Sequence, residues 1–455
     1  MSSSSNYECV NWIEEAISNK YLEYYKFEEF KNIESVGTCD NVGTTYRANW
    51  KNWRQIFGLK NLFYINDTTV KELVNELKLH RKVDFHDNII NFYGVSEACS
   101  GSGIKKYLLV VDYADCGSLK QYLGDNFNKL TWKDKFQLAY QLTNVMSYLH
   151  YEGIVHRDLH SGNVLVHRGN IKLADLGLSR KLREAMSIKE SIDLVPYIEP
   201  KRLADQKYPI DEKSDVYSIG VLLWEISSGK PPLNFLQKDG PYKLNSNFLA
   251  LKIYQGQREN IVPGTPKDYY DLYQECWDGE PNERPTMIKV AEELKKIIMK
   301  CNLITAENGN LMAMYNLANK YLGLEDYENA IKFLEKAAEG EYVEAINALG
   351  YCNENGLGTM INLKKAEELY TKAAKLGYSK SANNLGEMLF QDSDENKENL
   401  AQAIIWFKEA ADLGDDVAHR NLKILSQNPS VLEDLKNLGE QGCKNSAIMI
   451  LMGIP

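Results

Sequence analysis

The chain has 455 residues, enough for two or three domains that each bury a core. Its 44% hydrophobic and 25% charged content is that of ordinary globular protein, and a net charge of −10, with roughly nine of those charges after residue 300, leaves no basic stripe for nucleic acid. Eight cysteines without a C-x-x-C spacing argue against a disulfide framework or a zinc site, and the apolar run at 219–226 (IGVLLWEI) is too short to span a membrane.

The opening MSSSSNYECVNWIEEAI lacks a basic n-region and an apolar h-region, so a cytoplasmic protein is expected. Residues 1–26 carry one short helical pattern, around Trp12 to Ile17, and read as an N-terminal helical extension. Residues 27–112 alternate as strands do, in IFGLKNLFYI (56–65) and YLLVVDY (107–113), with one helical run, TVKELVNELKLHRKV (69–83). From Ser118 to Lys300 the pattern is mostly helical, with amphipathic stretches at 131–150 and 213–228. A β-rich lobe followed by a larger helical lobe is predicted.

Past Lys300 an internal repeat begins. AIKFLEKAAEG, AEELYTKAAKLG and AIIWFKEAADLG bring Ala330, Ala366 and Ala403 into register. Phe333, Leu369 and Trp406 follow, then Ala337, Ala373 and Ala410, then Gly340, Gly377 and Gly414. The period of about 36 residues is that of a helical solenoid. Alanines would sit where helices approach closely, and each glycine would take a left-handed position after its helix. The companion helices carry NLA, ALG and NLG at 316–318, 348–350 and 384–386. These units resemble Sel-one-like repeats, relatives of the tetratricopeptide repeat, over about 308–455, with 299–307 as a linker; the resemblance implies a surface for protein partners.

The chemistry concentrates in IVHRDLHSGNVLV (154–166) and KLADLGLS (172–179). Phosphoryl transfer needs a carboxylate to orient and deprotonate an alcohol, with oxygen ligands nearby for magnesium. Asp158, Asn163 five residues later and Asp175 twelve beyond that supply such a set. The order HRD-x-x-x-x-N then D-x-G resembles the protein kinases, in particular the tyrosine-kinase-like branch, over about 27–298.

That resemblance implies an α+β, bilobal protein kinase fold, with the N-lobe at about 27–114 and the C-lobe at about 115–298, followed by the all-α repeat solenoid. It implies ATP and Mg2+ as cofactors, Asp158 as catalytic base, and Asn163 and Asp175 as metal ligands. Lys60 would hold the α- and β-phosphates with Glu76 as its ion-pair partner. Val111 would be the gatekeeper, Asp112 and Ala114 the backbone partners of adenine, and Gly43 and Leu165 further parts of the nucleotide site. In SDVYSIGVLLWEISSGKPP (214–232), Asp215 would brace the catalytic loop; Trp224, Trp277 and Arg284 read as fold.

Several positions depart from the family pattern. In VGTCDNVGTTY (36–46) the first two loop glycines read Thr38 and Asp40, and Gly43 is the third. The residue that would cover adenine is Thr45, and glycine replaces alanine at Gly58. Leu176 stands inside the D-x-G triplet, while His160 and Leu194 replace a lysine and a threonine near the catalytic loop. VPYIEPKRL (195–203) places Lys201 where a glutamate would pair with Arg284. The activation segment contains Ser179, Ser187 and Ser191, of which Ser187 or Ser191, mid-loop, would be phosphorylated and pair with Arg157. The expectation is a kinase acting on protein serine or threonine in intracellular signalling. The alternative is a pseudokinase scaffold that binds partners with little or no phosphotransfer.

Overall fold

A computed structural model describes the backbone of residues 13–39, 43–51, 55–62, 67–83, 86–99, 105–176, 192–232, 246–392 and 397–440. The chain divides into two compact units, Met1–Ile298 and Met299–Pro455. No helix among the described residues is long and apolar enough to cross a membrane.

The first unit opens with helix α1 (13–18), followed by six strands: β1 (Glu23–Lys26), β2 (Phe30–Cys39), β3 (Gly43–Trp50), β4 (Ile56–Leu62), β5 (Phe92–Cys99) and β6 (Lys105–Asp112). They form one sheet in the order β1-β5-β6-β4-β3-β2, antiparallel except where β1 runs parallel to β5. Helix α2 (Asp67–Val83) buries Val74 and Leu77 in a cluster with Val95 and Leu109 of the sheet. Ile13, Ala16 and Leu22 complete that cluster, so residues placed in an N-terminal extension by sequence belong to the core of the small lobe. Their entry depends on Gly94, at φ +157°, where a Cβ would lie 2.2 Å from the Glu23 carbonyl oxygen.

The larger lobe is helical: α3 (Leu119–Asn126), α4 (Trp132–Tyr151), a hairpin of β7 (Val164–His167) and β8 (Asn170–Leu173), then α5 (Pro200–Ala204), α6 (Glu212–Ser228), α7 (Ser246–Tyr254), α8 (Lys267–Cys276) and α9 (Met287–Glu307). Helix α4 starts at a reciprocal cap, in which Thr131 N donates to Asp134 Oδ2 (2.8 Å) and Asp134 N to Thr131 Oγ1 (3.4 Å). Helix α6 is apolar nearly all round, as SIGVLLWEISS dictates, and is accordingly buried along almost its whole length. Asp211 caps its start, and Gly229 ends it in the left-handed conformation.

The second unit is a run of helices: α10 (Leu311–Gly323), α11 (Tyr327–Glu339), α12 (Val343–Asn355), α13 (Leu363–Lys375), α14 (Ser379–Gln391), α15 (Lys397–Asp412), α16 (Asp416–Ser426) and α17 (Pro429–Glu440). Residues 299–307, read as a linker, are the end of α9, and Met299, Leu303 and Ala306 pack into the core of the first repeat. The register alanines 330, 366, 403, 337, 373 and 410 are fully buried. The large side chains that fill the helix pairs are Leu334, Tyr370 and Phe407, one position past the aligned trio; Leu369 and Trp406 lie only half-buried. Gly377 and Gly414 adopt the left-handed conformation expected of them, but in the first repeat Glu341 does so instead. Gly340 is there for space, since a Cβ on it would lie 2.4 Å from Leu311 Cδ2.

Candidate active site

The β7–β8 hairpin builds the site. Val164 pairs with Leu173, so the residues flanking the open end, Asn163 and Ala174–Asp175, lie side by side, and Ala174 N donates to the Asn163 carbonyl (3.1 Å). Asn163 Nδ2 donates to the Asp158 carbonyl (2.8 Å) and to Asp158 Oδ2 (3.2 Å). All three side chains are buried. From the sheet above, Lys60 on β4 brings Nζ to 3.0 Å from Asp175 Oδ2. Lys60 is fixed from both sides, opposite Thr45 of β3 and Leu109 of β6.

Two of these segments use left-handed backbone at non-glycine residues, Arg157 (φ 71°) and Asp175 (φ 64°), each a cost of order 1 kcal/mol or more that the surroundings must offset. For Arg157 the offset is visible. Asp215, 1% exposed at the start of α6, accepts from His156 N (2.8 Å), Arg157 N (2.9 Å) and His150 Nε2 (2.9 Å). Next to it, His160 accepts from Gly162 N at Nδ1 (3.1 Å), and its Nε2 stands 3.9 Å from Asp158 Oδ2. A Cβ on Gly162 would lie 2.8 Å from the imidazole, so the glycine makes room for the histidine. Ser161 Oγ and the Tyr197 hydroxyl are 3.0 Å apart, and Tyr197 donates to Glu225 Oε2 (2.7 Å). Burial raises the Glu225 carboxyl to about 7 against the Tyr197 hydrogen bond, which lowers it.

At the hinge, Val111 lies opposite Gly58, and Asp112 N donates to the Asn91 carbonyl (3.0 Å). The Asp112 carboxylate accepts from Asn91 Nδ2 (2.7 Å) and the Tyr93 hydroxyl (2.6 Å), and burial followed by that hydrogen bond pushes Tyr93 up to about 12. A Cβ on Gly58 would stand 3.1 Å from both the Asp112 carbonyl oxygen and Val111 Cγ2, so glycine relieves crowding there. Ala114 is buried, and Leu165 on β7 pairs with Lys172. Gly43 opens β3 opposite Cys39. Asp40, between them in sequence, lies outside the described residues, as do the side chain of Glu76 on α2 and Ser179, Ser187 and Ser191.

One reading of the sequence is corrected. Arg284 does not face a like charge: Glu199, two residues before Lys201, takes both ends of its guanidinium, and Lys201 pairs with Glu280 (2.6 Å) at the surface. The networks of Ser161–Tyr197–Glu225 and His160–Gly162 were not anticipated, although the tripeptide His160-Ser161-Gly162 was their signal.

The family model for protein tyrosine and serine/threonine kinases matches residues 31–294, and that for the Sel1 repeat matches 311–342, 343–378 and 379–415. Two Dictyostelium discoideum proteins, each described as "Probable LIM domain-containing serine/threonine-protein kinase", are 31% identical to the chain over 231 residues. That span is 50% of this chain and 33% and 22% of the two relatives, so the chain aligns with a third or less of their lengths. With more than half its residues in the kinase match, the chain belongs to the protein tyrosine and serine/threonine kinase family and carries three Sel1 repeats after the kinase domain.

Proposed function

We propose that the chain is an active protein kinase that uses ATP and Mg2+ to phosphorylate serine or threonine in protein substrates, with the repeats as its surface for partners. The observation that carries this reading is the convergence of Lys60, Asp158, Asn163 and Asp175 at the open end of the β7–β8 hairpin. Serine/threonine specificity draws support from the description of the two relatives.

The donor set suits a hard cation. Asp175 offers carboxylate oxygen, and Asn163, whose Nδ2 is directed to Asp158, offers its amide oxygen. Mg2+ held there would neutralise charge that develops on the phosphate oxygens. Lys60 then aligns the phosphates by charge, positioned by the two strands that flank it. Asp158 receives the proton of the attacking hydroxyl at its carboxylate, steadied by Asn163. Glu76 on α2 is the ion-pair partner of Lys60 in this reading; Val111, Asp112, Ala114 and Leu165 surround adenine, and Gly43 follows the phosphate-covering turn.

The test is phosphate transfer to itself or to a generic protein substrate. Wild type should exceed Asp158→Ala by about 100-fold or more. Equal background in both would leave a pseudokinase scaffold as the reading.

A further inference from the structure

Three tyrosines of the second unit come together where its first repeats meet. Tyr315 lies on α10, while Tyr342 and Tyr378 hold the same place in successive repeats, the residue before α12 and the residue before α14. All three pack against the core of those repeats and stay partly exposed. The ring centroids of Tyr315 and Tyr342 are 5.5 Å apart, with their planes tilted by 48°.

A polar side chain would serve the helix better at two of these positions. At the equivalent places before α10 and α16, Asn310 accepts from Ala313 N (2.9 Å), and Asp415 from Val417 N (2.9 Å) and Ala418 N (3.0 Å). Neither Tyr342 nor Tyr378 caps its helix, so two repeats forgo that bond for an aromatic ring.

Glu344, in the first turn of α12, completes the group. Burial raises the Tyr342 hydroxyl, followed by Glu344 and Tyr315; burial raises that of Tyr378, followed by Tyr315, Glu344 and Tyr342. One carboxylate thus acts on two of the rings. No lysine offsets it at Tyr378, although Lys375 and Lys380 flank that residue in sequence. Among the described residues, neither the Glu344 carboxylate nor any of the three hydroxyls has a hydrogen-bond or ion-pair partner.

Aromatic faces beside a carboxylate attract a cation, and a planar guanidinium stacks on such rings better than an ammonium does. The acidic excess of the chain lies in the same unit, with roughly nine net negative charges after residue 300. One helical turn beyond Glu344, Asn347 Oδ1 accepts from Ser381 Oγ (2.7 Å) and Asn384 Nδ2 (3.1 Å). That leaves Asn347 Nδ2 to donate to a main-chain carbonyl.

We propose that Tyr315, Tyr342, Tyr378 and Glu344 form a receptor for an arginine side chain on an extended segment of a partner protein, with Asn347 bonding the main chain of that segment. The proposal rests on the reading of the repeats as a surface for partners and is independent of phosphotransfer.

Ligand-observed NMR on the full chain tests it with the blocked peptide Ser-Gly-Arg-Gly-Ser at millimolar concentration. Physiological salt screens long-range attraction to the acidic surface. Wild type should transfer saturation to the arginine side chain and shift its δ-methylene protons upfield, a mark of ring stacking that charge alone does not leave. Glu344→Gln should weaken binding about tenfold, and Tyr342→Asn at least as much. Asparagine supplies the cap that Asn310 provides in the first repeat, so thermal unfolding of Tyr342→Asn separates lost binding from lost folding. The same peptide with citrulline, uncharged but alike in shape, should bind at least about tenfold more weakly. Equal binding of the citrulline peptide would overturn the proposal while leaving the repeats a surface for partners. Lack of the upfield shift in wild type, or unchanged binding by Glu344→Gln or Tyr342→Asn, would overturn it too. Tighter binding of the lysine counterpart would overturn the guanidinium assignment.

Discussion

Glu199 and Arg284, 85 positions apart in sequence, meet as a buried, two-pronged ion pair, Nη2 to Oε1 at 3.1 Å with Nη1 to Oε2 beside it. Arg284 is held further: Nε donates to the Asp278 carbonyl (2.8 Å), Nη1 also to the Lys213 carbonyl (2.8 Å), and the guanidinium lies over the Tyr217 ring. Removing one partner leaves the other charge buried and uncompensated. Glu199→Gln should therefore cost about 3–5 kcal/mol in urea unfolding. Lys201→Glu, at the position where the glutamate was expected, should shift the midpoint little, since its partner Glu280 is largely solvent-exposed.

Glu225 gives the kinase domain a pH dependence with a definite sign. Its carboxyl is raised from 4.5 to about 7 in the folded protein, so the native state holds this proton while the unfolded chain has released it. Stability is full below pH 4.5, falls as pH rises towards 7, and levels off above it. The span is of order 3 kcal/mol. Denaturation of wild type and Glu225→Gln at pH 5 and pH 8 checks it: the difference between the two proteins should change across that range.

Asp215 gathers three donors that hold Arg157 in left-handed backbone beside Asp158. Asp215→Ala should leave these donors without their shared acceptor and lower kcat by at least about tenfold while nucleotide binding persists. An equal loss of nucleotide affinity would show that the loop's disturbance reaches the adenine side.

Saturating Mg-ATP, at about 100 times its Kd, should stabilise the kinase domain by roughly 2.7 kcal/mol. Lys60→Ala should remove most of that thermal shift. A shift retained in full would exclude Lys60 from the phosphates.

In the repeats, Ala318, Gly350 and Gly386 occupy equivalent positions. A Cβ on Gly386 would lie 2.8 Å from the Phe407 ring, itself 2% exposed and unable to yield. Gly386→Ala should destabilise this unit, because overpacking costs about 1–3 kcal/mol against roughly 1 kcal/mol gained in helix propensity. Thermal unfolding of the variant reports the balance.

The candidate catalytic residues that the structure brings together were legible as a group because their spacing is local. Asp158 to Asn163 is one tight loop, and the hairpin that carries Asn163 to Asp175 is only ten residues long between its strand ends. Helix α4 and the repeat helices were equally legible from their apolar period, whereas α6, read as amphipathic, is buried on nearly every side. The Glu199–Arg284 pair was not, since matching positions to a motif places a carboxylate by sequence number, whereas the fold needs only that one reach the guanidinium. Strand β1 was missed for another reason. EYYK is four residues with no alternation, and its pairing with β5 depends on Gly94, about 70 residues away.

That parallel edge strand bears on where the kinase domain can be cut. A fragment begun at residue 31, where the family match starts, would discard Ile13, Ala16 and Leu22 together with β1. Val74, Leu77, Val95 and Leu109 would then face water, and α2, which carries Glu76, would lose its packing on that side. Each large side chain stripped away removes about 1.5–3 kcal/mol of burial. Trimmed to its family boundaries, the domain would keep every residue proposed for catalysis and lose the buttress behind the helix that carries Glu76.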